Sequence, residues 1–176
     1  MRRNRSISPM ALPDRILVRS ACWNDLEALV AFSAAMALET EGRRLDLARL
    51  REGTRSLLAA PDQGFFMVAE LPEPGCPHLI GQLMITFEWS DWRNGVFWWV
   101  QSVYVDPAWR RRGVFRTMHQ HVLDKAKADP RVCGIRLYVE RDNRAAQAVY
   151  QRVGLAPSAY AVYEQDFVLV PETKPS

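Results

Sequence analysis

Cysteine is scarce and scattered. Cys22, Cys76 and Cys133 are odd in number, far apart and form no CxxC pair, which supports neither a disulfide framework nor a zinc site. His119 and His121 stand two apart on a helical pattern, so they point to different faces and do not share a metal. No apolar run is long enough to cross a bilayer. The first residues, MRRNRSISPM, lack the apolar block of a secretory signal. They read as a tail (1–14), and a reducing cytoplasm fits best. Charge of one sign is also in short supply: a net +3 does not imply binding to nucleic acid or to a membrane. Neither common nucleotide loop is there, since the chain has no GxGxxG and no Gly-Lys-Ser/Thr ending.

What is there is a basic loop at a strand-to-helix junction. Residues 100–122 read VQSVYVDPAWRRRGVFRTMHQHV. Val100, Val103 and Val105 lie in a β-branched and aromatic run that suits a strand. Asp106-Pro107 ends it, because proline fixes φ and has no N–H for the ladder. Arg110, Arg111 and Arg112 follow, then Gly113. From Val114 the apolar positions Val114, Phe115, Met118, Val122, Leu123 and Ala126 fall on one helical face. The free N–H groups of a first helical turn and the positive end of its dipole attract an anion. Glycine lets backbone come close to that anion, and arginines add charge and bidentate donors. Three adjacent arginines on their own are usually a solvated surface. Their place at this junction points to a phosphorylated ligand.

The rest of the chain alternates strands and helices. At 176 residues, 48% of them apolar and 24% charged, it reads as one soluble domain over about 15–170 with a polar tail at 171–176. Residues 16–19 form a short strand. Asn24, with Glu27 three residues on, marks a capped helix start, and that helix runs to about Glu41-Gly42. A second helix starts after Asp46, with Leu47, Leu50, Thr54, Leu57 and Leu58 on one face. Residues 65–70 and 79–89 are strands separated by the proline-rich loop LPEPGCPH. Asn94-Gly95 signals a two-residue hairpin, which pairs Arg93 with Val96, Asp91 with Trp98 and Glu88 with Gln101. After the central helix come a strand from Cys133 to Val139, a helix capped by Asn143 or Asp142 and closed by Gly154, and a final strand at 161–169. This order gives a mixed α/β sheet.

With both junctions in view, the chain resembles the GCN5-related N-acetyltransferases (GNAT family) over about 16–169. The family's phosphate-cradling signature is Arg or Gln, two residues, Gly, one residue, then Gly or Ala. Here it reads Arg110-Arg111-Arg112-Gly113-Val114-Phe115, with Phe115 in place of a small residue. A second signature, Asn, Ala, Tyr and Gly at offsets of three, seven and eleven, is matched by Asn143, Ala146, Tyr150 and Gly154. The resemblance implies a twisted, mostly antiparallel sheet flanked by helices, with acetyl-CoA held in a cleft between two splayed central strands, the ones ending at Val105 and near Val139. It implies that the pantetheine arm pairs with backbone around Val103, Tyr104 and Val105. The pyrophosphate would rest on the amides of residues 111–116, from Arg111 to Arg116, with Asn143 and Ala146 contributing to the cofactor site. An acceptor amine would attack the thioester directly, a strand amide near Val103 would stabilise the oxyanion, and Tyr150 would donate a proton to the departing thiolate. No metal is implied. Otherwise Tyr150 reads as a core tyrosine and Asn143 as a plain N-cap.

The attacking amine must be neutral, so a carboxylate or a water it polarises must take a proton. The hairpin places Glu88, Ser90, Trp92, Phe97, Trp99 and Gln101 on one face. Glu88 is the candidate to hold or deprotonate the acceptor, with Asp91 in reserve and Glu39 and Glu41 behind it. Trp89, Trp92, Trp98 and Trp99 read as a hydrophobic core beneath the first helices or a homodimer interface. Two other functions compete with the acetyltransferase: a non-catalytic acyl-CoA-binding sensor or interaction module of the same fold, and a nucleic-acid-binding domain using Arg110–Arg112. The small net charge and the presence of only Trp109 and Phe115 beside the basic loop weigh against the latter.

Overall fold

A computed structural model describes residues 16–72 and 78–168. The chain divides into two compact units, Met1–Tyr138 and Val139–Ser176. The proline-rich loop lies mostly outside the described residues, as do both proposed tails.

The first unit is a five-stranded sheet in the order β1-β2-β3-β4-β5. Its strands are β1 (Leu17–Ser20), β2 (Gly64–Leu71), β3 (His78–Ser90), β4 (Gly95–Val105) and β5 (Val132–Leu137). The first four pair antiparallel, and β5 runs parallel to β4. Period-two alternation sends side chains to opposite faces. Met67, Ala69, Ile85, Trp98 and Val100 pack with Val114, Met118 and Val122 of helix α3 (Val114–Ala128). Phe66 and Val68 pack with Leu29 of helix α1 (Leu26–Glu41) and with Leu57 and Leu58 of helix α2 (Leu47–Ala59). Side chains such as Ile85 and Met118 are fully buried, each contributing about 1.5–3 kcal/mol of transfer free energy.

Asp46 caps α2 as expected, its carboxylate accepting from the Ala48 and Arg49 amides. The cap of α1 differs: Asp25, not Asn24, closes the approach, accepting from the Cys22 amide at 2.7 Å and from the Arg19 guanidinium at 2.7 and 3.0 Å. A short 3₁₀ turn, Trp23–Asp25, precedes the helix, so the start lies one residue later than spacing suggests.

The hairpin register also differs. Asp91–Arg93 form a 3₁₀ turn closed by Asn94 in the left-handed region, and the pairs are Ser90 with Gly95, Trp89 with Val96 and Glu88 with Phe97. Asp91 and Arg93 are therefore outside the ladder, and Glu88 does not oppose Gln101. The displacement is even, however, so Glu88, Phe97, Trp99 and Gln101 stay on one face. The four tryptophans part company. Trp98 is buried in the α3-side core against Phe65 and Phe87, not beneath the first helices. Trp89, near the end of the β3–β4 ladder, and Trp92, on the turn, are exposed at 63% and 84%.

In the second unit, α4 (Arg144–Arg152) is capped by Asn143, whose side-chain oxygen accepts from the Ala146 amide at 3.0 Å. Gly154 follows with φ +90°. Residues 161–168 form no strand: a strand needs a ladder partner, none pairs with them among the described residues, and Tyr163 and Phe167 stay exposed. Leu169 lies outside the described residues.

Candidate active site

β4 and β5 begin together and then part. Their pairing runs from Val96–Val132 to Val100–Leu137. β5 ends at Leu137, two residues short of the expected Val139, while β4 continues to Val105. On its other side β4 stays paired, Val103 with Leu83, Tyr104 with Gln82 and Val105 with Gly81. Among the described residues no strand pairs with 101–105 on the β5 side. Backbone donors and acceptors there face an opening. Just at its base Ile85 pairs with Val100 and Leu83 with Val103, so Gln101 and Ser102 together oppose Met84. This bulge re-aims the strand where the opening starts.

The basic loop stands at the end of that strand. Asp106 accepts from the Ala108 amide at 2.8 Å, and Pro107–Trp109 make a 3₁₀ turn that buries Trp109. Arg111 has φ +62°, a left-handed conformation that costs a side-chain-bearing residue about 1–2 kcal/mol. Gly113 has φ +85° and precedes helical Val114. That alternation turns successive N–H groups toward one concavity. Among the described residues no side chain caps α3, so the Val114 amide at its start can donate to a ligand. Arg111, Arg112 and Arg116 are exposed around it, with the Arg112 guanidinium 4.9 Å above the Trp109 ring. Phe115 is partly buried, its ring 5.8 Å from that of buried His119.

Arg110 behaves differently. It turns back along β4, donating through Nε to the Val105 carbonyl at 2.9 Å and through Nη2 to Glu39 at 2.5 Å. Its guanidinium lies 5.3 Å from the Tyr104 ring centre, and the Tyr104 hydroxyl donates to the other Glu39 oxygen at 2.7 Å. The Arg110 bond, then the Tyr104 bond, hold Glu39 below the usual carboxylate range. Burial first, then Glu39, push Tyr104 up to about 12. Nothing in the local spacing signals this trio, whose members come from α1, β4 and the loop.

Glu88 sits on the α1-side face of the sheet, paired with Phe97 where β4 and β5 still run side by side. One of its oxygens accepts from Arg136 Nη1 at 2.6 Å, the other from Trp99 Nε1. Trp99 stacks on Tyr138 at 4.4 Å, and the Arg136 guanidinium lies 3.7 Å over the Phe97 ring. Gly134 is what lets Phe97 lie there: a Cβ at that position would come within 2.6 Å of the ring. Gln101 donates to Thr86 at 2.8 Å on the same face. Arg136 and Tyr138 were not among the sequence candidates, though a charged residue inside a strand was a signal for the first. Asp91, the reserve base, is exposed on the turn, and its carboxylate accepts from the Trp92 amide. Glu41, the last residue of α1, is exposed.

In the second unit, Asn143 and Ala146 are tied to each other by the cap. Tyr150 lies on α4, and burial pushes its hydroxyl above the usual phenol range. Among the described residues no three His, Cys, Asp or Glu side chains could hold a metal ion, and no helix is long and apolar enough to cross a membrane.

A mixed, mostly antiparallel sheet flanked by helices, with its last two strands parallel and splayed, is the arrangement of a GNAT-type fold. The chain belongs to the acetyltransferase (GNAT) family, whose profile matches residues 26–155. A solved structure titled a possible acetyltransferase from Clostridium difficile 630 is 37% identical, with a TM-score of 0.80 over 87% of this chain and 98% of that one. Two more distant structures share the fold. One is an aminoglycoside N-acetyltransferase in complex with CoA, at 13% identity and TM-score 0.69 over 88% of this chain and 96% of that one. The other is a ribosomal-protein-alanine N-acetyltransferase from Brucella melitensis biovar Abortus 2308, at 16% identity and TM-score 0.66 over 87% and 100%. No curated protein matches the chain.

Proposed function

We propose that the chain moves the acetyl group of acetyl-CoA onto a primary amine of a small molecule or peptide, by direct attack with both substrates bound. The observation that carries the reading is the open edge of β4 beyond Val100 leading to the uncapped, arginine-lined start of α3. Acetyl-CoA supplies an acetyl group already activated as a thioester. Backbone at Val103, Tyr104 and Val105 aligns its pantetheine arm, and the amides of Gly113, Val114 and Phe115, with Arg111, Arg112 and Arg116, take its diphosphate. A β4 amide near Val103 stabilises the charge that develops on the carbonyl oxygen.

As the new C–N bond forms and the C–S bond breaks, one proton leaves the amine and CoA departs as a thiolate, which takes a proton from solvent after release. Glu88, or a water it polarises, takes the amine's proton. Tyr150 hydrogen-bonds the departing sulfur. A free phenol has a pKa of about 10 and a thiol about 8.5, so full transfer is uphill by roughly 2 kcal/mol, and burial of Tyr150 adds to that. The hydroxyl therefore stays protonated and donates to a thiolate that leaves well by itself. The reaction draws on cytoplasmic acetyl-CoA, the location the sequence suggests.

The test is a panel of amines (amino acids, polyamines, aminoglycosides, peptide N-termini) with acetyl-CoA, reading thiol release and product mass together. Acceptor-dependent thiol release supports the reading. CoA binding with no release on any amine favours the non-catalytic acyl-CoA module.

A further inference from the structure

We propose that Arg110, although it opens the phosphate-loop signature, is not a ligand of the phosphates. With Glu39 and Tyr104 it forms a positioning bridge that fixes the loop holding them. The proposal rests on the reading that this loop binds a CoA diphosphate.

Three observations carry it. Arg110 is anchored twice on the strand side, to the Val105 carbonyl and over the Tyr104 ring, and once to Glu39 near the end of α1. Both Glu39 oxygens are committed, one to Arg110 and one to the Tyr104 hydroxyl. Arg111, Arg112 and Arg116 take part in no ion pair within 4.0 Å among the described residues. The division of labour follows. A phosphate competing for Arg110 would have to break its bond to Glu39, while three other arginines stand available without that cost.

The bridge also answers a local need. Arg111 and Gly113 hold left-handed backbone, and a non-glycine residue stays there only where its surroundings over-determine it. Arg110 immediately precedes Arg111 and ties that point to two other elements. An ion pair whose partners are 43% and 39% exposed adds little to global stability. Its loss should therefore appear in ligand affinity, not in the melting temperature.

The experiment is calorimetric titration of CoA into wild type, Glu39→Gln, Tyr104→Phe, Arg110→Glu and the charge-swapped double variant E39R/R110E, with Tm recorded for each. The bridge predicts about three- to ten-fold weaker binding for Glu39→Gln at nearly unchanged Tm, weakening in the same direction for Tyr104→Phe, and recovery by the double variant of much of what Arg110→Glu loses. If Arg110 instead grips phosphate, Glu39→Gln frees it and CoA binds more tightly. In that case the double variant stays as weak as Arg110→Glu, because it keeps a carboxylate against the ligand. Tighter or unchanged binding by Glu39→Gln overturns the proposal alone, even if the double variant does not fold. A wild-type protein that does not bind CoA overturns the functional reading with it.

Discussion

Replacing Gly113 separates backbone strain from electrostatics at the phosphate loop. Its φ of +85° lies in the left-handed region, yet a Cβ there would meet only the Arg116 guanidinium at 3.8 Å. Gly113→Ala therefore suffers strain without a clash. That strain is about 1–2 kcal/mol, and for a chain of this size each kcal/mol is worth roughly 2–4 °C, so Tm should fall by roughly 2–8 °C. CoA affinity should fall only modestly. Asp tolerates this conformation better than Ala, so Gly113→Asp should melt no lower than Gly113→Ala. Its carboxylate, however, faces the proposed diphosphate. At about 5 Å and an effective dielectric near 20, the repulsion is about 3 kcal/mol. Solvent and salt on an exposed loop cut this to about 1–2 kcal/mol, roughly ten-fold in Kd. Thermal melts and CoA titrations of both variants at low and high salt read the two effects separately. Equal loss of CoA affinity in Ala and Asp, without salt dependence, would refute the placement of phosphate on this helix start.

Tyr150→Phe should lower kcat by about 10–100-fold, the worth of one hydrogen bond to a charged group, while KM for acetyl-CoA changes little; a loss through KM alone would assign the side chain to packing. Glu88→Gln turns one carboxylate oxygen into an NH₂ group facing the N–H donors of Arg136 or Trp99. It should abolish the acidic limb of the kcat/KM profile at unchanged CoA affinity, and a wild-type profile and rate would remove Glu88 from the chemistry. His119 is buried, its Nε2 has no hydrogen-bond partner among the described residues, and burial lowers its pKa. The unfolded chain then binds the extra proton, so stability falls as pH drops below about 6.5 and keeps falling until the folded pKa is reached. Urea midpoints at pH 7.5 and 5 should diverge less in His119→Phe than in wild type, and an equal divergence would show that His119 does not carry the effect.

Local chemistry was the legible part of this chain. Asp46, Asn143 and Gly154 announce helix ends because caps act over three or four residues. The face shared by Glu88, Trp99 and Gln101 was also readable, since an even register shift preserves it. The register itself was not. Asn94 does take the left-handed conformation, but the 3₁₀ turn at Asp91–Arg93 displaces the ladder by four residues in a way no dipeptide signals. The bulge at Gln101–Ser102 leaves no mark in composition either. Over 161–168 the expected strand does not form for another reason: alternation predicts a surface able to pair, not the existence of a partner. The Glu39–Tyr104–Arg110 bridge spans 65 and 71 residues of sequence, beyond any periodic pattern, so Glu39 looked like a spare base and Arg110 like one arginine of three.

The central claim is that a CoA thioester occupies the opening between β4 and β5 and rests on the start of α3. Thermal denaturation of the wild-type chain with and without acetyl-CoA tests it most directly. A ligand specific to the folded state at one hundred times its Kd stabilises by about 2.7 kcal/mol, which for a chain of this length is a rise of roughly 5–11 °C. The account predicts that rise, logarithmic in acetyl-CoA concentration and diminished in Gly113→Asp. A flat melting temperature at millimolar acetyl-CoA would contradict it.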